Sequence, residues 1–184
     1  MKNLLLVLIL SLFLMCRAGE KSVEKEKKDE EVKMVGLKVF SSSFEDGEII
    51  PDKFTCDGEN ISPAISWVEL PPEVKSLALI CDDPDAPGGD FVHWVVYNIP
   101  TNINGFKENA EISEIANLGM TDYGRGGYGG PCPPSGVHHY HFKLYALDER
   151  LETESGIDKY KLLEKMEGHI LAKGEIVGLY KRKR

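Results

Sequence analysis

Ten consecutive residues, His138-His139-Tyr140-His141-Phe142-Lys143-Leu144-Tyr145-Ala146-Leu147, constrain this chain more than any other segment. Side chains alternate across a strand, so His138, Tyr140, Phe142, Leu144 and Ala146 share one face. His139, His141 and Lys143 share the other, which reads as solvated. The run is a half-buried strand. His138 and Tyr140 are polar tips at the end of its core face, where a pocket mouth would lie.

Runs at 35–40, 64–68, 77–82, 91–99 and 169–180 read as further strands, each bounded by Pro, Gly or Asx residues. One helix stands among them. Ile157, Tyr160, Leu163, Met166 and Ile170 recur at spacings of three and four, and Gly168 is placed to end it. Many strands, one late helix and no β-α-β alternation predict an antiparallel sandwich or barrel-like body. From Gly119 to Gly136 lie seven glycines and three prolines. A loop of that length inside a compact domain often carries function.

The N-terminus reads as an address. Lys2 precedes an uncharged apolar run from Leu4 to Met15, then Cys16. This matches a secretory leader over residues 1–18 and is shorter than the ~18–20 residues of a permanent membrane helix. Cys16 resembles the lipid-attachment cysteine of bacterial lipoproteins; ordinary cleavage near Ala18 is the alternative. Residues 20–33 hold six acidic and five basic side chains and almost nothing apolar. Such a stretch cannot bury enough surface to offset the entropy of ordering. Residues 19–34 are therefore a disordered tether, and 35–184 one folded domain, exported to the cell envelope. A net charge of -8, from 22 Lys+Arg against 30 Asp+Glu, excludes a general nucleic-acid binder. Of the cysteines, Cys81 lies in an apolar strand and reads as a buried thiol. Cys56 and Cys132 both fall in turn-rich segments and are the expected disulfide of an exported chain.

Four of the five histidines are His93, His138, His139 and His141. His93 shares a face with Phe91, Val95 and Tyr97 on the alternating reading of its strand, and Asp83 closes the strand before it. Asp83, His93, His138 and Tyr140 form a polar constellation on an otherwise apolar sheet. Three chemistries compete. Asp plus two His could ligate a metal as a facial triad. A Ser-His-Asp hydrolase would need Ser135, but Pro134-Ser135-Gly136 is no strand-to-helix elbow. An anion pocket would use imidazole N–H, Tyr O–H and loop N–H donors on phosphate oxygens, with Asp83 orienting a His. The string Gly124-Arg125-Gly126-Gly127-Tyr128-Gly129 spells a dinucleotide fingerprint, but Pro131 to Pro134 follow where a helix would have to open.

Several segments in order resemble the phosphatidylethanolamine-binding protein (PEBP) family. Asp83-Pro84-Asp85-Ala86-Pro87 with His93-Trp94-Val95-Val96-Tyr97-Asn98-Ile99-Pro100 is similar to its first signature. Gly130-Pro131-Cys132-Pro133-Pro134-Ser135-Gly136-Val137-His138-His139-Tyr140 is similar to its second. Phe54-Thr55-Cys56-Asp57-Gly58, Asn60-Ile61-Ser62-Pro63 and Ser66-Trp67 resemble its bacterial and archaeal branch, the YbhB/YbcL or Raf kinase inhibitor-like proteins. The resemblance runs from about Val35 to Lys181. It implies an all-β-dominated sandwich of two antiparallel sheets with one or two short peripheral helices. It also implies an anion pocket of Asp83, Pro87, His93, His138 and Tyr140, with Pro133 or Pro134 on the rim.

The implied role is non-enzymatic: binding a small anion or phospholipid headgroup, or modulating a kinase or protease target. No cofactor is expected, the membrane is reached only through leader or lipid, and a homodimer is open. A hydrolase or metalloprotein built on the Asp/His/His set is the alternative. The middle residue of the usual His-Arg-Tyr is here His139, so an outer charge contact should be lost while the pocket survives. The chain ends soon after Tyr180, whereas animal members continue into a helix, which puts carry-over of their kinase-binding surface in doubt.

Overall fold

The structure is a computed structural model that describes residues 36–153 and 156–183. The expected leader, Cys16 and tether lie outside the described residues. The strands are β1 (Lys38–Phe40), β2 (Ile65–Val68), β3 (Ser76–Asp83), β4 (Phe91–Ile99), β5 (Gly105–Phe106), β6 (Asn117–Leu118), β7 (His138–Leu147) and β8 (Ile170–Tyr180). Helix α1 covers Lys159–Met166, and two short 3-10 turns lie at Asp52–Phe54 and Ile112–Glu114. The strands form a three-stranded sheet, β1-β2-β5, and a five-stranded sheet, β6-β4-β3-β7-β8, with every pair antiparallel. This is a β-sandwich with one peripheral α-helix.

Two apolar layers hold it together. Ile65, Trp67 and Phe106 of the small sheet pack on Leu77, Leu79, Cys81, Trp94, Phe142 and Leu144 of the large one. On the far side, Leu162 and Met166 of α1 cover Ala78, Ile80, Val95 and Tyr97. β3 is consequently buried at every position. That double cover explains why its sequence is a continuous apolar run rather than an alternation. α1 begins where Asp158 accepts a hydrogen bond from the Lys161 N–H at 2.9 Å and ends before Gly168, whose φ is +82°. The helix is shorter than its apolar spacing predicts because Ile170 already belongs to β8.

Alternation fails in β4. One step along β3, from Cys81 to Asp82, is matched by two along β4, from Trp94 to Val92. His93 is the extra residue of a β-bulge, which kinks the strand and re-aims side chains. Val92, Val95 and Tyr97 therefore pack under α1, while Trp94 and Val96 face the small sheet. His93 lies on the side of Trp94, with its ring 5.1 Å from that of Tyr140. The predicted grouping of His93 with Val95 and Tyr97 is thus incorrect.

Cys56 and Cys132 are joined by a disulfide, with Cα atoms 5.4 Å apart and a sequence separation of 76. Closing a loop of that size removes unfolded-chain entropy equivalent to roughly 4 kcal/mol in the chain-entropy account. Cys81 is a buried free thiol. Burial first, then the charges of Asp82 and Asp83, push its pKa well up, so it carries no thiolate chemistry.

Candidate functional site

The clearest cavity lies at one end of the sandwich, where β3, β4 and β7 meet the long Gly/Pro-rich loop, and it encloses about 620 Å³. All seven residues expected at the anion site (Asp83, Pro87, His93, Pro133, Pro134, His138 and Tyr140) line it. Alternation in β7 is preserved: His138 and Tyr140 are buried on the cavity side, and His139 is exposed.

Each imidazole is held through Nδ1. His138 Nδ1 meets Asp83 Oδ2 at 2.7 Å, and His93 Nδ1 meets the Gly129 carbonyl oxygen at 2.7 Å. A carboxylate and a carbonyl are acceptors, so both rings carry a proton on Nδ1 and leave Nε2 available to the cavity. Asp83 is itself held, since its other oxygen accepts from the Asp85 N–H at 2.9 Å. Gly129 also donates its N–H to the His93 carbonyl at 2.9 Å, which fastens the loop to the bulge. A Cβ at Gly129 would lie 2.2 Å from the Tyr123 ring, so only glycine permits this approach.

Burial lowers the pKa of His93, and the Gly129 hydrogen bond and nearby aspartates offset this only in part. The Tyr140 hydroxyl is buried and makes no hydrogen bond of good geometry among the described residues, although the Asp83 carboxylate stands close enough to act on it. Burial, then the charge of Asp83, push its pKa far above that of free tyrosine, so it is a donor at every physiological pH. A buried phenol without a well-formed hydrogen bond, in the wall of a largely apolar cavity, is a donor prepared for an acceptor.

Sequence reasoning missed two groups of lining residues. Phe91 and Tyr123 complete an aromatic wall, with ring centroids 5.1 Å apart and Phe91 5.1 Å from His93. Tyr123 is an aromatic set among glycines, which was the available signal. Asp90 and Asp122 also line the cavity. Asp122 accepts from the Val92 N–H at 2.7 Å, and Asp90 pairs with Lys159. Among the described residues no Lys or Arg lines the cavity.

His139 departs from expectation. Its backbone N–H and its Nδ1 both reach Asp85 Oδ2, at 2.9 and 2.6 Å, so an outer contact is present in imidazole form. That hydrogen bonding holds the Asp85 carboxyl below its ordinary range. Ser135 is exposed and lines a separate hollow with Lys181 and Arg182, so the hydrolase triad is not assembled. Among the described residues no group of three or more His, Cys, Asp or Glu side chains is spaced to hold a metal ion.

A profile of the phosphatidylethanolamine-binding protein family matches residues 40–181. The chain belongs to that family. It is 52% identical over 150 residues to a UPF0098 protein of Methanothermobacter thermautotrophicus, covering 79% of this chain and 99% of the relative. A UPF0098 protein of Pyrococcus horikoshii is 49% identical over 156 residues, covering 81% of this chain and 78% of that protein. The crystal structure of a phosphatidylethanolamine-binding protein homolog from Chlamydia trachomatis superposes with a TM-score of 0.77 at 41% identity, covering 80% and 99% of the two chains. That of E. coli YbcL, described as a member of the mammalian family, gives 0.74 at 31% identity with the same coverage. Membership supports a non-enzymatic, ligand-binding role in general.

Two outcomes follow. Tyr140→Phe removes a buried hydroxyl that makes no well-formed hydrogen bond, at nearly constant volume, so the ligand-free protein should gain about 1 kcal/mol, read as a higher denaturant midpoint. An unchanged or lower midpoint would mean that the hydroxyl is already satisfied. For His93, the folded pKa lies below the unfolded value of about 6.5, so the unfolded chain binds more protons and stability falls as pH drops below that value. His93→Gln should flatten the decline in melting temperature between about pH 7.5 and 5.5 relative to wild type. Parallel declines would remove His93 as its source.

Proposed function

We propose that this protein is a non-enzymatic binding protein whose cavity takes a small phosphate-type anion, free or as a phospholipid headgroup. The observation that carries this is the buried Tyr140 hydroxyl, without a well-formed hydrogen bond, beside two histidines whose Nε2 atoms are left to the cavity. A phosphate oxygen would accept from the phenol, and protonated imidazoles would add charge-assisted bonds. Among the described residues no Lys or Arg lines the cavity, so positive charge toward an anion would come from the histidines. Because the pKa of His93 is depressed, anion affinity should rise as pH falls. The resemblance to Raf kinase inhibitor-like proteins extends the proposal to modulation of a protein target such as a kinase or protease.

The test is titration of the full chain with inorganic phosphate and, separately, phosphoethanolamine. The imidazole NMR signals of His93 and His138 should move, and the melting temperature should rise by mass action. Imidazoles that stay still at millimolar concentrations of both ligands would sink the anion reading. A response to phosphoethanolamine alone would assign the cavity to a headgroup rather than to free phosphate.

We propose in addition that residues 1–34 place the domain in the envelope, on the strength of the leader pattern ending at Cys16. No helix among the described residues is long and apolar enough to cross a membrane. If Cys16 carries lipid, the native protein partitions into detergent and Cys16→Ser abolishes this. A soluble mature chain beginning near Gly19 would instead assign ordinary leader cleavage.

A further inference from the structure

A second charged cluster gathers at the start of α1, with Asp82 on the sheet face opposite Asp83 and Asp90 reaching the cavity. Asp82 is fully buried and accepts from Lys143 Nζ at 2.7 and 2.9 Å through its two oxygens. Lys159, the first residue of α1, is 6% exposed, and its ammonium contacts both Asp82 and Asp90. Burial alone would lower the pKa of this lysine, but its two carboxylate partners raise it, so it stays charged.

The two aspartates occupy particular places. Asp82 directly precedes Asp83, which orients His138. Asp90 directly precedes β4 and itself lines the cavity, where its second oxygen, Oδ1, is buried and unpartnered. Between them runs the β3–β4 connection, whose Pro87, Gly88 and Gly89 form one wall of the cavity. The two ends of that wall converge on one ammonium.

We infer that Lys159 is a positioning residue for the cavity: its ammonium clamps the base of the 83–90 connection and so sets the position of the wall that a ligand meets. It touches no ligand itself. Removing it would leave the fully buried Asp82 carboxylate with only Lys143, and the half-buried Asp90 carboxylate beside it with no cation, so the connection would open to hydrate them. It would also make the cavity more negative, which opposes an anion. Helix α1 is thereby coupled to the cavity wall through a charge rather than through apolar packing alone. The affinity part of this inference rests on the anion reading above; the positioning part does not.

The experiment uses the full chain and two readouts, amide hydrogen exchange and phosphate titration. Gly89 donates its N–H to the Ala86 carbonyl at 2.9 Å, within the connection, and is the reporter. In Lys159→Met its exchange should accelerate by about tenfold or more while amides of the β7–β8 ladder keep wild-type rates. The phosphate dissociation constant should rise by about tenfold, and Lys159→Arg, which keeps a cation, should restore both values. If Lys159→Met fails to fold, Asp90→Asn provides the second route. It spares the Asp82–Lys143 pair and should still accelerate Gly89 exchange. Gly89 exchange within about twofold of wild type in the folded variants would overturn the inference. Wild-type protein that binds no phosphate would defeat the anion reading alone, and Gly89 exchange would still decide the positioning role.

Discussion

The pleat of β3 sends Asp82 and Asp83 to opposite sides of the five-stranded sheet, and neither carboxylate can be buried without a partner. Asp83 takes the imidazole of His138, and Asp82 takes the ammonium groups of Lys143 and Lys159. β3 lies between β4 and β7, so these pairings fix how both neighbours finish at the same end. β7 must present His138 to one face and Lys143 to the other, which its alternation does. α1 must start at Lys159, beside the end of β3. The cavity, the helix docking and the termination of three strands thus share one dipeptide.

The opposite wall depends on main-chain fastening. The loop that carries Gly129 and Gly130 is tied to β4 by the reciprocal His93–Gly129 bonds. It is tied to the 52–60 region by Tyr128 Oη donating to the Phe54 carbonyl at 2.9 Å and by the Gly130 N–H donating to Asn60 Oδ1 at 2.7 Å. The tautomer of His93 is therefore set by a carbonyl in a loop that is itself anchored at several points. A rigid loop keeps that carbonyl in place, and through it the proton affinity of the ring.

Much of this was legible in the residues, and what was not has identifiable causes. β7 could be read to the residue, because one face is apolar and the other polar along its whole length. On that alternation alone His138 and Tyr140 fall at the end of the core face, where the cavity opens. The face of His93 could not be read, because a bulge is defined by the partner strand: Val92, His93 and Trp94 look like ordinary alternation until Cys81 and Asp82 are placed opposite. β5 and β6 are two residues each and exist only through their pairing with β2 and β4. Phe91 and Tyr123 meet across 32 residues of sequence, and Lys159 reaches Asp82 across 77, so no local pattern announces either contact. For the Cys56–Cys132 pairing the sequence offers only that both residues lie in turns, and the structure brings those two turns together.

The disulfide also divides the molecule topologically. It closes a covalent ring that contains β2 to β6 and leaves β7, α1 and β8 on an open branch. A protease that cuts inside the ring, for instance at the exposed Glu73, leaves one covalently connected molecule whose ends remain paired in the sheets. A cut at the exposed Arg150 lies outside the ring and yields two pieces joined by the β7–β8 ladder and the packing of α1. Tolerance to nicking is therefore unequal along the chain, with the covalently guarded half holding Asp83, His93 and Tyr123, and the branch supplying His138 and Tyr140.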